Sequence, residues 1–332
     1  MLGFKMMMNR KQSAGFSLVE LMVAMVIGLI VMGGAFSMYQ TSTETQKINE
    51  MQMDLVADAR FATELIAYDL RHAGAWGSTN KASLITCRST DAGCAAPPPA
   101  VVDDCTVGAD PQWAYNLDLP IFAVDGTEGN PYADTCIDDG DYVAGTDLLE
   151  IRYADANLPI LRPGQTYVRS NFINGQVFVG SAAPTLNFYD TSPLTQNHEL
   201  HAYTYYISDF TDDPDDGIPS LRRVALVNGP GTQNQLLVSG VTDLQVQLGV
   251  DLTDNGMIDR YMNPNDVAAT DWENVMAAKI WLIMRSDEPM EDVDTTRSFS
   301  IAGQAEQDYG GVDDFRFFMV STVVNLRNLR QQ

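Results

Sequence analysis

The chain has 332 residues, and its 44 acidic and 20 basic residues give it a formal charge of −24 at pH 7. A surface this acidic repels the phosphates of nucleic acids, so no direct binding of DNA or RNA is expected. The length leaves room for a sizeable core and for two lobes.

The first predicted element is a membrane-spanning helix behind a short basic leader. The leader contains three basic residues and no acidic one: Lys5, Arg10 and Lys11. Residues 21–36 carry no charge, and this asymmetry predicts a cytoplasmic N-terminus with the rest of the chain across the membrane. The 24 residues from 16 to 39 are long enough, at about 1.5 Å per residue, to cross a hydrocarbon core of about 30 Å.

One acidic residue, Glu20, interrupts this apolar segment. A charge inside hydrocarbon costs roughly 2.5–3.5 kcal/mol, which predicts a cationic partner for the carboxylate. Cleavage after Gly15 would create that partner, because it frees the amine of Phe16 on the same helix or on a neighbouring copy. An ordinary secretory signal cut near Gly33 and Ala35 is the alternative. Such a signal has no use for a carboxylate, and its apolar region normally spans only about 7–15 residues.

The hexapeptide Gly15-Phe16-Ser17-Leu18-Val19-Glu20, with the apolar run after it, resembles the start of a type IV prepilin. In that family a dedicated peptidase cuts before the Phe and methylates its amine, and the mature subunit stacks into a helical fibre. The resemblance implies a leader at 1–15, processing between Gly15 and Phe16, N-methylation of Phe16, and alignment of the subunit by Glu20. Without the leader, 17 basic and 44 acidic residues leave a charge of −27.

The helical pattern continues beyond the membrane segment. Apolar residues recur at steps of three or four: Ile48, Met51, Leu55, Ala59, Ala62, Leu65 and Ile66. One helix is predicted from about Ser17 to about Arg71, with a transmembrane part at 16–40 and an amphipathic second half within 41–76. Three glycines in the first half predict either a bend or close helix packing in the membrane: Gly28, Gly33 and Gly34.

The next region, 77–147, is rich in loops and contains all four cysteines of the chain. An even number of cysteines in an exported segment predicts two disulfides, with three pairings to choose from. We favour Cys87 with Cys94, and Cys105 with Cys136. A zinc site is the alternative, but no Cys-x-x-Cys spacing occurs and no histidine lies nearby. The region is interpreted as an insertion that is cross-linked by disulfides between its cysteines.

From about Asp147 onward the chain alternates apolar with polar residues. Strand-like segments are 149–153, 203–207, 221–227, 244–250, 275–284 and 315–326. Six to nine strands are predicted in one antiparallel sheet, with one face packed on the long helix. The predicted fold class is therefore α+β, with a long N-terminal helical stalk and a β-rich head at 148–332.

The C-terminal half carries a second resemblance, to the large minor pilins of the PilW type. It rests on these segments in this order: Tyr205 to Asp209, Ile218 to Arg223, Gly240 to Val246, Gly249 to Asp251, Asp259 to Tyr261, Trp272, Ile280 to Ser286, and Thr322 to Asn328. Such proteins are low-abundance subunits that join other minor pilins in a complex that primes fibre assembly and caps its tip. The implied partners are other minor pilins, the major pilin, the prepilin peptidase and the inner membrane.

The implied location is a single pass through the inner membrane with a periplasmic head, followed by the pilus at the cell surface. Two other functions stay open on the sequence. One is a minor pseudopilin of a type II secretion system, which would share the leader, the stalk and the sheet. The other is a tip adhesin or ligand-binding module built on 77–147. The sequence does not distinguish twitching motility, DNA uptake and adhesion as the task of the pilus.

Residues 251–259 resemble the start of a calcium-binding loop with a sharp turn at Gly256. The oxygen ligands would be Asp251, Thr253, Asn255 and Asp259. Thr253 stands where an acid or amide is preferred, and Met262 stands where a bidentate Glu is expected. A plain acidic β-turn explains the same residues. Structural calcium is thus a candidate cofactor, and no other cofactor is expected.

Catalysis is not expected. His198-Glu199-Leu200-His201 is one residue too short for the zinc-protease signature, and the following residues alternate as a strand, which predicts ordinary surface histidines. The acidic run at 212–217 contains Pro and Gly and is typical of a solvated hairpin loop rather than a cation site. The sequence contains no Gly-x-Ser-x-Gly turn, phosphate-binding glycine loop or dinucleotide fingerprint.

Overall fold

The computed structural model describes residues 15–88, 94, 97–106, 113–133, 135–290, 294–312 and 314–329. The leader residues Lys5, Arg10 and Lys11 lie outside the described residues. Within-chain contacts divide the protein into two units, 1–53 and 54–332, and each is described by itself.

The first unit consists of the N-terminal part of helix α1 (Leu18–His72). Apolar side chains surround the helix as far as Tyr39 and are exposed almost throughout, whereas residues 40–50 are mostly polar. By length and composition, α1 qualifies as a membrane-spanning helix. The helix runs without a break through Gly28, Gly33 and Gly34, where an added Cβ would meet nothing within 4 Å. The prediction of one long helix is confirmed, with its ends within one residue of those expected.

In the second unit, α1 buries one face, formed by Leu55, Ala59, Ala62, Ile66 and Leu70. Their spacing of three or four residues places them on a single stripe of the helix. The chain leaves the helix at Gly74, where φ is +76°. A Cβ there would lie 2.5 Å from the side chain of Leu329, so a glycine is required for both conformational and steric reasons.

The described residues form 14 strands. They are β1 (Ile85–Thr86), β2 (Ile121–Val124), β3 (Leu148–Ala154), β4 (Thr166–Ser170), β5 (Gly175–Val179), β6 (Gln196–Ser208), β7 (Ser220–Val227), β8 (Gly231–Ser239), β9 (Val241–Val250), β10 (Arg260–Met262), β11 (Val275–Arg285), β12 (Arg297–Phe299), β13 (Gln307–Tyr309) and β14 (Phe317–Asn325). Short 3₁₀ turns lie between them, at Ala82–Leu84, Trp113–Tyr115, Gly126–Glu128, Asp139–Asp141, Pro264–Asp266 and Trp272–Asn274.

The strands are divided between sheets. The first sheet has eight strands in the order β1-β5-β4-β6-β3-β2, and β7 pairs with β6 and β8. The second sheet has the order β10-β9-β11-β14, and β12 pairs with β13 in a small third sheet. All pairs are antiparallel except β1 with β5. The α+β class is confirmed, but the single predicted sheet is not, because alternation shows which side chains share a face and not which strands share hydrogen bonds.

Both faces of the first sheet are covered. One face joins α1 and the second sheet in a common core that includes Ile66, Ile151, Tyr205, Leu244 and Ile280. The opposite face packs on residues from the 77–147 region in a second core: Trp113, Ala114, Tyr115, Leu117, Val124, Tyr132 and Ile137. This region also supplies β2, which pairs with β3. The segment interpreted as an insertion is therefore part of the sheet and of its core.

Candidate functional site

The predicted processing site lies just ahead of α1. Phe16 is 88% exposed, and an added Cβ on Gly15 would meet nothing within 4 Å. The first turn of α1 is closed by a capping box, in which the backbone N–H of Glu20 donates to Oγ of Ser17 (3.2 Å). The N–H of Ser17 donates in return to Oε2 of Glu20 (2.8 Å). Glu20 therefore has a structural task at the helix start in addition to its predicted role in assembly.

The spacing of these residues also suits the predicted chemistry. A cut after Gly15 would place a new amine on Phe16, four positions before Glu20 in the sequence. An amine on a neighbouring subunit would meet the same carboxylate. Sequence reasoning missed the capping box, although its Ser-x-x-Glu signature was readable in Ser17-Leu18-Val19-Glu20.

A buried carboxylate, Asp69, connects α1 to three strands of the first sheet. Its side chain accepts hydrogen bonds from the hydroxyl of Tyr153 on β3 (2.7 Å) and from that of Tyr205 on β6. Nη1 of Arg223 on β7 lies 3.6 Å from Oδ2. Burial raises the pKa of Asp69 above its ordinary value, and the two hydroxyl donors oppose that rise. Sequence reasoning missed this residue because its partners come from distant strands.

Two of the three histidines, His198 and His201, lie on β6. Because residues 198 and 201 are an odd number of positions apart on a strand, their side chains point to opposite faces. The ring of His198 is buried, and its Nδ1 lies 2.7 Å from the carbonyl oxygen of Asp155. For His201, burial lowers the pKa to about 4. The prediction of surface histidines is wrong for His198. No group of three potential ligands among His, Cys, Asp and Glu is placed to hold a metal ion in the described part of the chain.

The candidate calcium loop turns its oxygen atoms toward its own backbone. The carboxylate of Asp251 accepts N–H groups from Thr253 (3.2 Å), Asn255 (3.2 Å) and Gly256 (2.6 Å). Oδ2 of Asp259 accepts the N–H groups of Leu252 (2.8 Å) and Thr253 (3.1 Å), and Oδ1 of Asn255 accepts that of Met257 (2.8 Å). These bonds are those of an acidic turn, the alternative raised by the sequence. Calcium binding stays a prediction, which a rise in melting temperature with added Ca²⁺, lost in Asp251→Ala, would test.

Two disulfides cross-link residues 77–147, which we call the cysteine region. They join Cys87 to Cys94 and Cys105 to Cys136, with Cα–Cα distances of 5.1 and 5.0 Å, in the pairing favoured from the sequence.

The cysteine region packs on a buried ion pair in β3, formed by Glu150 and Arg152. The alternation of the sequence placed these two residues on a polar face of the strand, but they are only 4% and 2% exposed. Arg152 donates to the carboxylate of Glu150 and to the carbonyl oxygens of Trp113 and Leu119. The hydroxyl of Tyr132 donates to Glu150 as well. Polar residues that a solvated sheet would expose are thus buried by the cysteine region and paired beneath it.

Comparison with known proteins gives two family matches. Residues 204–328 match the family described as Type IV Pilus-assembly protein W, and residues 10–36 match the prokaryotic N-terminal methylation motif. No curated protein matches the chain significantly. Among solved structures, the type IV-like pilin TTHA1219 from Thermus thermophilus is similar at 12% identity, over 56% of this chain and 80% of that one, with a TM-score of 0.26. At that score the structural likeness carries no argument.

Proposed function

We propose that this chain, a PilW-type type IV prepilin by its methylation motif and its match over residues 204–328, is a minor subunit that initiates assembly of a type IV pilus and stays in its tip complex. The observation that carries the proposal is the presence of both signatures on one chain. The first provides the means of joining a fibre, and the second belongs to a family named for pilus assembly.

The route into the fibre follows from the N-terminal residues. Before assembly, α1 holds the subunit in the inner membrane, with the N-terminus in the cytoplasm and the second unit in the periplasm. The prepilin peptidase cuts after Gly15 and methylates Phe16. The membrane helices of neighbouring subunits then bundle where each carboxylate of the Glu20 type meets an amine, since an unpaired charge in hydrocarbon is costly.

The size of the second unit favours the tip over the shaft. A unit that extends from residue 54 to residue 332 is bulky for a subunit that repeats along a filament, and its volume limits how many copies fit around the fibre axis. We therefore place the chain with other minor pilins at the start and tip of the fibre, above the major pilin.

Deletion of the gene, with plasmid-borne complementation as control, tests this function. We expect cells with few or no surface pili by electron microscopy, loss of twitching, and normal secretion of exoproteins. Normal piliation in the deletion strain would contradict the proposal. Loss of exoprotein secretion with pili intact would identify the chain as a minor pseudopilin of a type II secretion system instead.

A further inference from the structure

A cluster of exposed apolar side chains lies at one end of the first sheet, where the β4–β5 turn meets the loop before β6. We call it the apolar platform, and it consists of Phe172 (52% exposed), Ile173 (39%), Phe188 (61%), Tyr189 (56%) and Leu194 (58%). The ring centroids of Phe172 and Tyr189 are 5.3 Å apart. Clustered apolar side chains on the surface of a soluble unit usually mark an interaction site.

The platform is held in place by buried polar side chains beneath it. Asn171, with no exposed surface, donates from Nδ2 to the carbonyl oxygen of Phe188 (2.9 Å), and its Oδ1 accepts the N–H of Ile173 (2.9 Å). Thr195 donates to the carbonyl oxygen of Tyr189 (2.5 Å). Both loops are thereby fixed to the same scaffold, so little conformational entropy is lost when a partner binds.

The platform also lies in a part of the sequence that is nearly free of acidic residues. Residues 156–198 contain one acidic residue, Asp190, whereas the other 43 fall in the remaining 289 positions. Asp190 is neutralised by Arg169, with Nη2 3.0 Å from Oδ1. Within these loops, a partner with carboxylates around an apolar centre would therefore meet only this one, already paired carboxylate.

We propose that the apolar platform docks the globular part of a different subunit of the same fibre, through a face that combines apolar side chains with carboxylates. This inference rests on the proposed function, which requires contact with fellow subunits. A lipid surface fits less well, because membrane-binding loops usually add several cations. Arg169, which contacts the platform loop at Asp190, is already paired with that carboxylate.

Site-specific photo-cross-linking from Phe172, in the full-length chain in its own cells, identifies the occupant directly. We expect mass spectrometry to find a different protein that carries the methylated N-terminal residue left by the prepilin peptidase. A phospholipid adduct, a second copy of this chain, a protein without that processed end, or no adduct would each overturn the inference.

Substitutions test the apolar and the charge arguments separately. Phe172→Ser combined with Phe188→Ser is expected to reduce co-purification of co-expressed minor pilins by about tenfold or more, as loss of an aromatic interface centre does. Asn187→Asp, which adds one carboxylate beside the platform, is expected to reduce it several-fold. Met257→Ser is the matched control, because Met257 is an apolar side chain 65% exposed in the acid-rich turn.

Two further measurements separate the possible failures. All three variants alter exposed side chains, so their melting temperatures should equal that of the unmodified protein. If deletion of the gene abolishes pili but the platform variants co-purify normally, the platform inference is overturned and the proposed function stands. If deletion leaves piliation unchanged, the proposed function fails whatever the variants do.

Discussion

Glu20 caps a helix in the structure and has a second, proposed role in assembly, and a single substitution would confuse the two. Its carboxylate closes the capping box with Ser17, and the proposed assembly step pairs the same carboxylate with an amine. Glutamine at this position keeps a capping oxygen but has no charge. A comparison of Glu20→Ala with Glu20→Gln therefore separates helix capping from charge pairing.

We predict that both Glu20→Ala and Glu20→Gln are cleaved after Gly15 but lose co-purification with other minor pilins and surface piliation. The reason is that both lack the negative charge that pairs with the amine. Immunoblots for the cleaved chain and pull-downs of the partners measure the two steps. Normal assembly of the Gln variant would show that the cap, and not the charge, is what Glu20 contributes.

Asp69 is the second residue whose role can be isolated. We predict that Asp69→Ala lowers the free energy of unfolding by about 2–4 kcal/mol, because two buried tyrosine hydroxyls lose their acceptor. Tyr205→Phe removes one hydroxyl and keeps the ring, so about 1 kcal/mol is expected from it. Denaturant titration of the purified chain measures both, and equal stability of Asp69→Ala and the parent would contradict this role.

Single residues also show where sequence reasoning ends. The disulfides agree with the favoured cysteine pairs, although the sequence left three pairings open. Gly15-Phe16 stood out because it belongs to a short motif, and residues 10–36 match the N-terminal methylation motif. Asp69 was not readable, since its partners lie 84 and 136 positions away along the chain. A polar residue on an apolar helix stripe signals a buried partner without saying which one.

Among the secondary-structure elements, strand β3 departs furthest from its predicted environment. Its alternation correctly indicated a strand, but every residue of Leu148–Ala154 is buried. The polar positions are covered by the cysteine region. That region has no periodic pattern from which its packing on the sheet could be predicted. Local patterns therefore predicted the strand, while its second covered face depended on contacts that the sequence does not display.

The ion pair within β3 gives a prediction for this element. Glu150→Ala should cost about 3–5 kcal/mol of stability, because Arg152 is left buried without its carboxylate. The double variant Glu150→Leu, Arg152→Met should cost less than the single one, since no buried charge remains. Thermal unfolding of the two variants measures this difference in stability. A double variant less stable than Glu150→Ala would contradict the prediction that an unpaired buried charge is the main cost.

The junction between the two larger sheets gives a pH dependence. Oδ1 and Oδ2 of Asp147, the residue before β3, accept the N–H groups of Gly126 (2.8 Å) and of Val246 on β9 (2.7 Å), respectively. Burial raises the pKa of Asp147 to about 7, with Asp125 and Asp243 as further acidic neighbours. The folded state thus holds this proton more tightly than the unfolded chain does, so the contribution of Asp147 to stability falls as pH rises from about 4 to about 7.

We predict that the parent loses stability relative to Asp147→Asn as pH rises across this window. Any advantage of the parent therefore shrinks, or the Asn variant becomes the more stable protein. The variant lacks the titrating group, whereas Asp243, whose pKa burial raises to about 6, remains in both proteins. Melting temperatures of the two proteins at about pH 4.5, just above the ordinary pKa of Asp, and near pH 7.5 measure it. A difference that stays constant with pH would contradict the assignment.

For the protein as a whole, the cysteine region 77–147 cannot be treated as a removable module. It supplies β2, covers one face of the first sheet and buries the Glu150–Arg152 pair. We predict that a chain lacking 77–147 does not accumulate, as judged by immunoblot of the membrane fraction. Stable accumulation would show that the region is dispensable for folding. A role in adhesion is better tested by surface substitutions in this region with piliation as the control.

The overall architecture was predictable in class but not in layout. A long apolar helix and alternating strands sufficed for the α+β class, since both are local periodicities. The division into an eight-stranded and a four-stranded sheet was not predictable, because it depends on pairings such as β9 with β11, which are set by non-local packing.

The identity of the mature N-terminus tests the account most directly. Mass spectrometry of the chain purified from its own membranes should show a chain that begins with Phe16 and carries one methyl group on its amine. A chain that still contains residues 1–15 would lack the free amine on Phe16 that Glu20 is proposed to meet, and a chain cut near Ala35 would lack Glu20 itself. Either result would contradict the account.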